Sequence, residues 1–263
     1  DGLITNYFNS KSKKLFPQKK IFFGNLFEEL RYGENPHQKA AIYTINKKLD
    51  INQLNGKPLS YNNYNDIFSA LLISKSLPKN IGTVIVKHSN PCGVSINKNK
   101  VKSYKLALNC DPICAFGGVV SCNFKIKKNL ALEMKKIFLE IIVCNGIENE
   151  ALKILKNKKN LRIIDSSFLN KMNLNQISSN INSYLLQTPD DFSFLKSNFK
   201  VVSKIKPSTK TLKNLLFAFN ICRFVRSNAI VLTNSDRTIG IGAGQSSRLD
   251  SCEIAINKMK KFY

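Results

Sequence analysis

The chain has 263 residues, with 41 Lys and Arg against 17 Asp and Glu and a formal net charge of +24. Its 43% hydrophobic and 10% aromatic content suits a globular protein with a sizeable core and excludes a disordered chain. No run approaches the ~18 apolar residues that span a bilayer. The opening "DGLITNYFNSKSKK" lacks the apolar core and cleavage site of an export signal, so a cytoplasmic protein with no membrane partner is expected.

The charge invites a nucleic-acid reading, but its make-up argues otherwise. Thirty-five of the basic residues are Lys and only 6 are Arg, spread along a chain that also holds 32 Asn, as AT-rich codon usage would produce. Arginine forks and clustered basic-aromatic segments, the usual readers of phosphates and bases, are lacking. A basic RNA-binding module rests on charge alone, and no specific nucleic-acid partner is expected. The seven cysteines read as free thiols in a reducing compartment. Cys92 has no partner at P-C-x-x-C spacing and His88 is followed by Ser-Asn, not x-Glu, so no metal site is expected.

In chain order, residues 1–20 are Lys-rich and read as a linker or edge segment. "LRYGENPHQKAAIYTI" is a loop on Gly33 and Asn35-Pro36 that runs into a short strand. Helical periodicity over Asp66–Leu77 suggests an N-cap near Asn65 or Asp66. "GTVIVKH" has the continuous apolar run of a strand covered on both faces. Helix, strand, helix, strand, helix and strand follow in "VKSYKLALNC", "FGGVVSCNF", 129–138, "EIIVCN", 149–159 and "NLRIIDSS". This alternation predicts an α/β layered domain. Ser- and Asn-rich residues 166–182 read as a connection. Beyond it, "TLKNLLFAFNICRFVRSN" reads as one long helix, "AIVLTN" and "TIGIGAG" as strands, and the segment from Asp250 as a helix. That second block holds too few elements for a full layered domain and looks cut.

Several segments could carry chemistry. Lys87 and His88 sit side by side where a buried strand meets Ser-Asn-Pro-Cys-Gly, which forbids helix. A neutral imidazole can take a proton from a weak amine nucleophile while a neighbouring cation steadies developing negative charge. His37, the other histidine, also lies in an Asn-Pro loop. Arg31, Arg223, Arg226 and Arg248 lie in or beside loop-like motifs of a chain that otherwise uses Lys, as two-point grips on carboxylate or phosphate would. "GIGAGQSSR" has neither phosphate-loop nor dinucleotide spacing, and reads as a tight strand-to-helix turn where backbone approaches a ligand or neighbour.

Taken in order, "LRYGENPHQ", "LNGKPLSYNNYNDIFSAL", "VIVKHSNPCGV", "CDPICAFGGVV", "KKNLRII", "LLQTPDD", "RFVRSNAIVL" and "GIGAGQSSRLDS" resemble the transformylase region of the AICAR transformylase/IMP cyclohydrolase family, from about residue 20 to the last. The resemblance implies formyl transfer from the cosubstrate 10-formyltetrahydrofolate to the 5-amino group of AICAR, giving FAICAR in purine biosynthesis. It implies a cytidine deaminase-like fold without zinc, working as a homodimer. Its two similar subdomains are expected at 20–178 and, incomplete, at 179–263, after a linker at 1–19. By motif, Lys87 and His88 match the family's catalytic pair. Arg31 and Tyr32 match the grip on nucleotide phosphate and base. Asn62 or Asn63, Phe116, Gly117 and Glu140 match positions around the AICAR ring and ribose, and Asn228 and Gln245 positions near the formyl group and folate.

Departures accompany the match. Cys114 replaces a more usual serine, and Arg226 stands where the family commonly has lysine. The cyclohydrolase domain expected upstream is absent and the pattern should continue past Tyr263, so a fragment or truncated product is expected. A non-catalytic remnant keeping fold and dimer contacts is the alternative to an active enzyme.

Overall fold

A computed structural model describes all residues except 13, 46–47, 170–175 and 193. The chain divides into two compact units, Asp1–Asp50 with Leu59–Asn62, and Ile51–Pro58 with Asn63–Tyr263. In the first, residues expected as linker form helix α1 (Gly2–Lys11), which buries none of its side chains. Strands β1 (Asn25–Leu30) and β2 (Ala40–Thr44) pair antiparallel. The loop between them closes on Gly33, whose N–H donates to the Gln38 carbonyl at 2.8 Å.

The second unit is built on an eight-stranded mixed sheet. Its strands are β3 (Asn52–Asn55), β4 (Gly82–Lys87), β5 (Asn90–Ile96), β6 (Val119–Cys122), β7 (Ile141–Cys144) and β8 (Arg162–Asp165), then, after the small hairpin β9 (Gln176–Asn180) and β10 (Ser183–Gln187), β11 (Ile230–Asn234) and β12 (Arg237–Gly242). The order across the sheet is β11-β12-β5-β4-β6-β7-β8-β3. β6, β7 and β8 run parallel, joined by α5 (Lys128–Met134) and α6 (Asn149–Lys156), and the other pairings are antiparallel. Strands of the second sequence block therefore extend the sheet of the first.

The central strands are buried and mostly apolar because both faces are covered. Val120 and Cys122 join Ile85, Ile142, Ile163, Leu130 and Leu155 in one core with residues of α3 (Lys100–Leu108), α5 and α6. Ser121 points the opposite way, as strand alternation requires, and its Oγ lies 2.8 Å from that of Ser74 on α2 (Tyr61–Ser76). Helices thus lie on both faces, which makes the architecture α/β. α2 begins at Tyr61, so Asp66 is a helix-interior residue and not the expected cap. The expected long helix ends early, since α7 spans Thr209–Cys222.

α8 (Arg248–Phe262) packs on β12. A Cβ on Gly240 would stand 2.1 Å from the Ala255 carbonyl oxygen, and one on Gly242 1.9 Å from that of Ser251. Gly240 and Gly242 of "TIGIGAG" therefore serve close approach of a helix backbone. No helix of the described residues is long and apolar enough to cross a membrane.

Candidate active site

β4 ends on Lys87 and β5 starts on Asn90, its pairing partner, so His88 and Ser89 alone make the turn. Both have left-handed backbones, with φ of 49° and 59°. Two-residue hairpins take this form, but usually with Asn-Gly, because a side chain there costs roughly 1–3 kcal/mol. Neighbours hold the turn in place. Asp66, turned out from α2, accepts the Ser89 N–H at 2.6 Å and its hydroxyl at 3.4 Å. On the other side, Asn90 Oδ1 accepts the Arg226 N–H at 3.1 Å. His88 is left exposed. Burial raises the Asp66 carboxyl above its ordinary value, opposed by the Ser89 bonds and the charge of His88 and reinforced by the charge of Glu140.

Lys87 is aimed by a second loop. Asp111 caps the short helix α4 (Pro112–Ala115) by accepting the Cys114 N–H, and the chain then turns through Phe116 and Gly117. Lys87 Nζ donates to the carbonyls of Phe116 at 3.1 Å and Gly117 at 3.0 Å. Gly117 has φ of 67°, and a Cβ there would lie 3.1 Å from Lys87 Nζ and 3.2 Å from the Phe138 ring. Phe116 packs against Phe138 at 5.3 Å between centroids yet stays 62% exposed, an apolar surface beside the ammonium.

Glu140, at the entrance to β7, accepts from Asn63 Nδ2 at 2.9 Å and from Arg162 Nη1 at 3.4 Å, both on Oε1. Arg162 also donates to the carbonyls of Lys57 at 3.2 Å and Pro58 at 3.3 Å. A buried guanidinium in an apolar strand needs such pairing, and it fixes the carboxylate. Asn228 donates its Nδ2 to the carbonyls of Gln245 and Ser246, both at 3.0 Å, and its backbone N–H to Gln245 O at 3.1 Å. Gly244 N–H donates to Arg226 O at 2.8 Å, so the Asn228 and Gln245 loops are joined, and the Arg226–Asn90 bond ties them to the Lys87–Asn90 hairpin.

Of the expected site residues, Lys87, His88, Phe116, Gly117, Glu140, Asn228 and Gln245 lie on loops or strand ends of the second unit, and Asn63 lies in the first turn of α2 in the same unit. Arg31, Tyr32 and Asn62 belong to the first. There the Arg31 guanidinium lies 5.6 Å from the Tyr32 ring, and Asn62 Nδ2 donates to Glu34 O at 3.2 Å. Sequence reasoning passed over Asp66 and Arg162. Asp66 carried no signal beyond a mistaken cap. Arg162 carried one, an arginine inside the apolar strand of a lysine-using chain.

The family described as AICARFT/IMPCHase bienzyme matches residues 1–258. A bifunctional purine biosynthesis protein PurH of Leptospira biflexa is 40% identical over 263 residues, covering 99% of this chain and 51% of that protein. PurH of Rhodospirillum rubrum is 41% identical over 97% of this chain and 49% of its own, and PurH of Thermoanaerobacter sp. 40% identical over 98% and 51%. The chain spans about half the length of the curated relatives it matches. A match over nearly every residue, through the segments that build the Lys87 hairpin and its supporting loops, places this chain in the AICARFT/IMPCHase bienzyme family.

Proposed function

We propose that the chain serves purine biosynthesis as the formyl-transfer half of its family, moving a formyl group from 10-formyltetrahydrofolate to the 5-amino group of AICAR. The observation that carries this reading is the Lys87–His88 hairpin. An ammonium is pinned by two carbonyls next to an exposed imidazole whose backbone is held from both flanks. An aromatic amine beside a carboxamide is a poor nucleophile, so His88 takes its proton as it attacks the formyl carbon. Lys87 steadies the oxyanion or the folate nitrogen as it leaves. Asn63 and Glu140, with Phe116 and Gly117, border AICAR. Asn228 and Gln245 face the formyl donor, and Arg31 with Tyr32 grips the nucleotide.

The same resemblance supports cytidine deaminase-like layering, subdomains at 20–178 and 179–263, and work as a cytoplasmic homodimer, a closed setting that keeps water from the formyl group. The test is tetrahydrofolate release from AICAR and 10-formyltetrahydrofolate by the protein as its source cell makes it. His88→Ala should lower kcat by ~10²-fold or more. Near-normal turnover by that variant would remove His88 as the base, and no turnover by the unaltered protein would favour a non-catalytic remnant.

A further inference from the structure

The Asn90 side chain reaches a backbone 136 residues away in sequence without letting go of its own turn. A carboxamide carries a donor and an acceptor on one carbon, and here both are used. Nδ2 donates to the His88 carbonyl at 3.3 Å, and Oδ1 accepts the Arg226 N–H at 3.1 Å. Arg226 is shared in turn, since its carbonyl accepts the Gly244 N–H at 2.8 Å, next to Gln245. Resting on the formyl-transfer reading above, we propose that Asn90 is a positioning residue for that reaction. Its carboxamide aligns the Lys87–His88 pair with the Asn228 and Gln245 loops that face the formyl donor.

Local structure puts the amide in that place. Pro91 keeps Asn90 extended, directly after the left-handed His88 and Ser89 have reversed the chain. The side chain is half-buried beside its own turn and so meets the His88 carbonyl. β5 and β12 are joined without it. Further along β5, Thr238 Oγ1 on β12 accepts the Val94 N–H at 2.9 Å and donates to the Val94 carbonyl at 3.3 Å. What Asn90 adds is a link at the end of β5 that carries His88.

AICAR and the formyl donor each keep their own contacts when Asn90 is lost, but the loops that carry those contacts can drift apart. Proton removal and attack need His88, the amine and the formyl carbon in register at once, and a misplacement of about 1 Å can cost about 10²-fold in rate. The loss therefore falls on kcat, whereas a binding role would raise KM with kcat held. Asn90→Asp keeps the oxygen that holds Arg226 and gives up the Nδ2 bond to His88, so it separates the two halves of the bridge.

The test pairs turnover with backbone hydrogen exchange, in the protein as its source cell makes it. Asn90→Ala should lower kcat by roughly 10- to 10²-fold, with the KM values for AICAR and 10-formyltetrahydrofolate within about threefold of the unaltered protein's. Asn90→Asp should recover part of the loss. Exchange needs no turnover. Asn90→Ala should speed exchange at the Gly244 and Asn228 amides, whose own partners are Arg226 and Gln245, and Asn90→Asp should keep them slow. Full kcat in Asn90→Ala, equal losses in the Ala and Asp variants, raised KM at unchanged kcat, or unaltered Gly244 and Asn228 exchange would each overturn the role given to Asn90. An unaltered protein without turnover would instead overturn the formyl-transfer reading, and with it the use of this bridge in catalysis.

Discussion

Asp66 Oδ1 accepts the Ser89 backbone N–H at 2.6 Å, across 23 residues of sequence, and so fixes the turn that carries His88. Asp66→Ala would strand that N–H and release a turn with two left-handed side chains, at about 1–3 kcal/mol. Asp66→Asn keeps an acceptor oxygen and drops a charge that burial opposes. The Asp66 carboxyl is raised above 3.8, so the folded chain holds this proton more tightly than the unfolded one. Stability then falls as pH rises through that window, and the deficit persists at neutral pH. Asp66→Asn is expected to be at least as stable as the unaltered chain at pH 7 and to lose that advantage below about pH 3.8. Urea unfolding of both variants at two pH values decides it. Equal losses for Asn and Ala would show that the acceptor oxygen does not matter.

Gly117→Ala should be costly out of proportion to one methyl group. The residue sits at φ of 67°, where a side chain costs about 1–2 kcal/mol, and the new Cβ would press on Lys87 Nζ and the Phe138 ring. A loss of that size lowers Tm by about 2–4 °C per kcal/mol in a chain of this length. Calorimetry reads the loss. An unchanged Tm would mean that the loop relaxes freely and does not aim the lysine.

Arg162 spans Glu140 and the carbonyls of Lys57 and Pro58 with one planar group. Lysine offers no fork, so Arg162→Lys should restore little of what Arg162→Met loses. The Glu140 side chain is 41% exposed, which tempers the loss to about 1–3 kcal/mol, below that of a fully buried pair. A double-mutant cycle with Glu140→Gln measures the coupling, and additivity would show that Arg162 supports only the 57–58 backbone.

The parallel strands and their helices were legible because strands covered on both faces leave unbroken apolar runs. The start of α2 was not. Asn62 and Asn63 favour loops locally, and Asn63 is drawn into the helix by a partner 77 residues away, Glu140. Pro91 and Gly93 looked like a turn but lie inside β5, where a register shift between Ile85 and Val86 lets proline face Val86. The end of α7 has no glycine or proline to announce it. Phe224 and Val225 close the helix with backbone bonds to Ile221 and Cys222, and the chain then turns towards Asn228. Lys87 and His88 stand out in the sequence because a cation and an imidazole are adjacent at the end of an apolar run. Asp66 and Arg162 act across 23 and 22 residues, and no local pattern encodes that distance.

Lys258 on α8 pairs with Asp111 at 2.8 Å, and the carboxylate is nearly buried, with 3% of its side chain exposed. Burial alone would raise Asp111. The Cys114 bonds and the Lys258 ammonium outweigh it, and the carboxyl falls below 3.8. Burial would likewise lower Lys258, but the bond to Asp111 carries it above 10.5. The Asp111 contribution is therefore complete above about pH 3.8 and fades as acid titrates the folded carboxylate. The Lys258 contribution is complete below about pH 10.5 and fades as base titrates the folded ammonium. Between these limits the pair gives a plateau. Lys258→Met removes the cation and leaves a buried carboxylate whose burial is no longer offset, so its proton affinity rises. The variant should lose stability most at pH 7, and the gap to the unaltered chain should narrow as acid titrates the carboxylate. Denaturant midpoints at pH 3, 5 and 7 read the difference. A stability gap that stayed constant from pH 7 down to pH 3 would mean that Lys258 acts through its aliphatic stem against α4 and not through its charge.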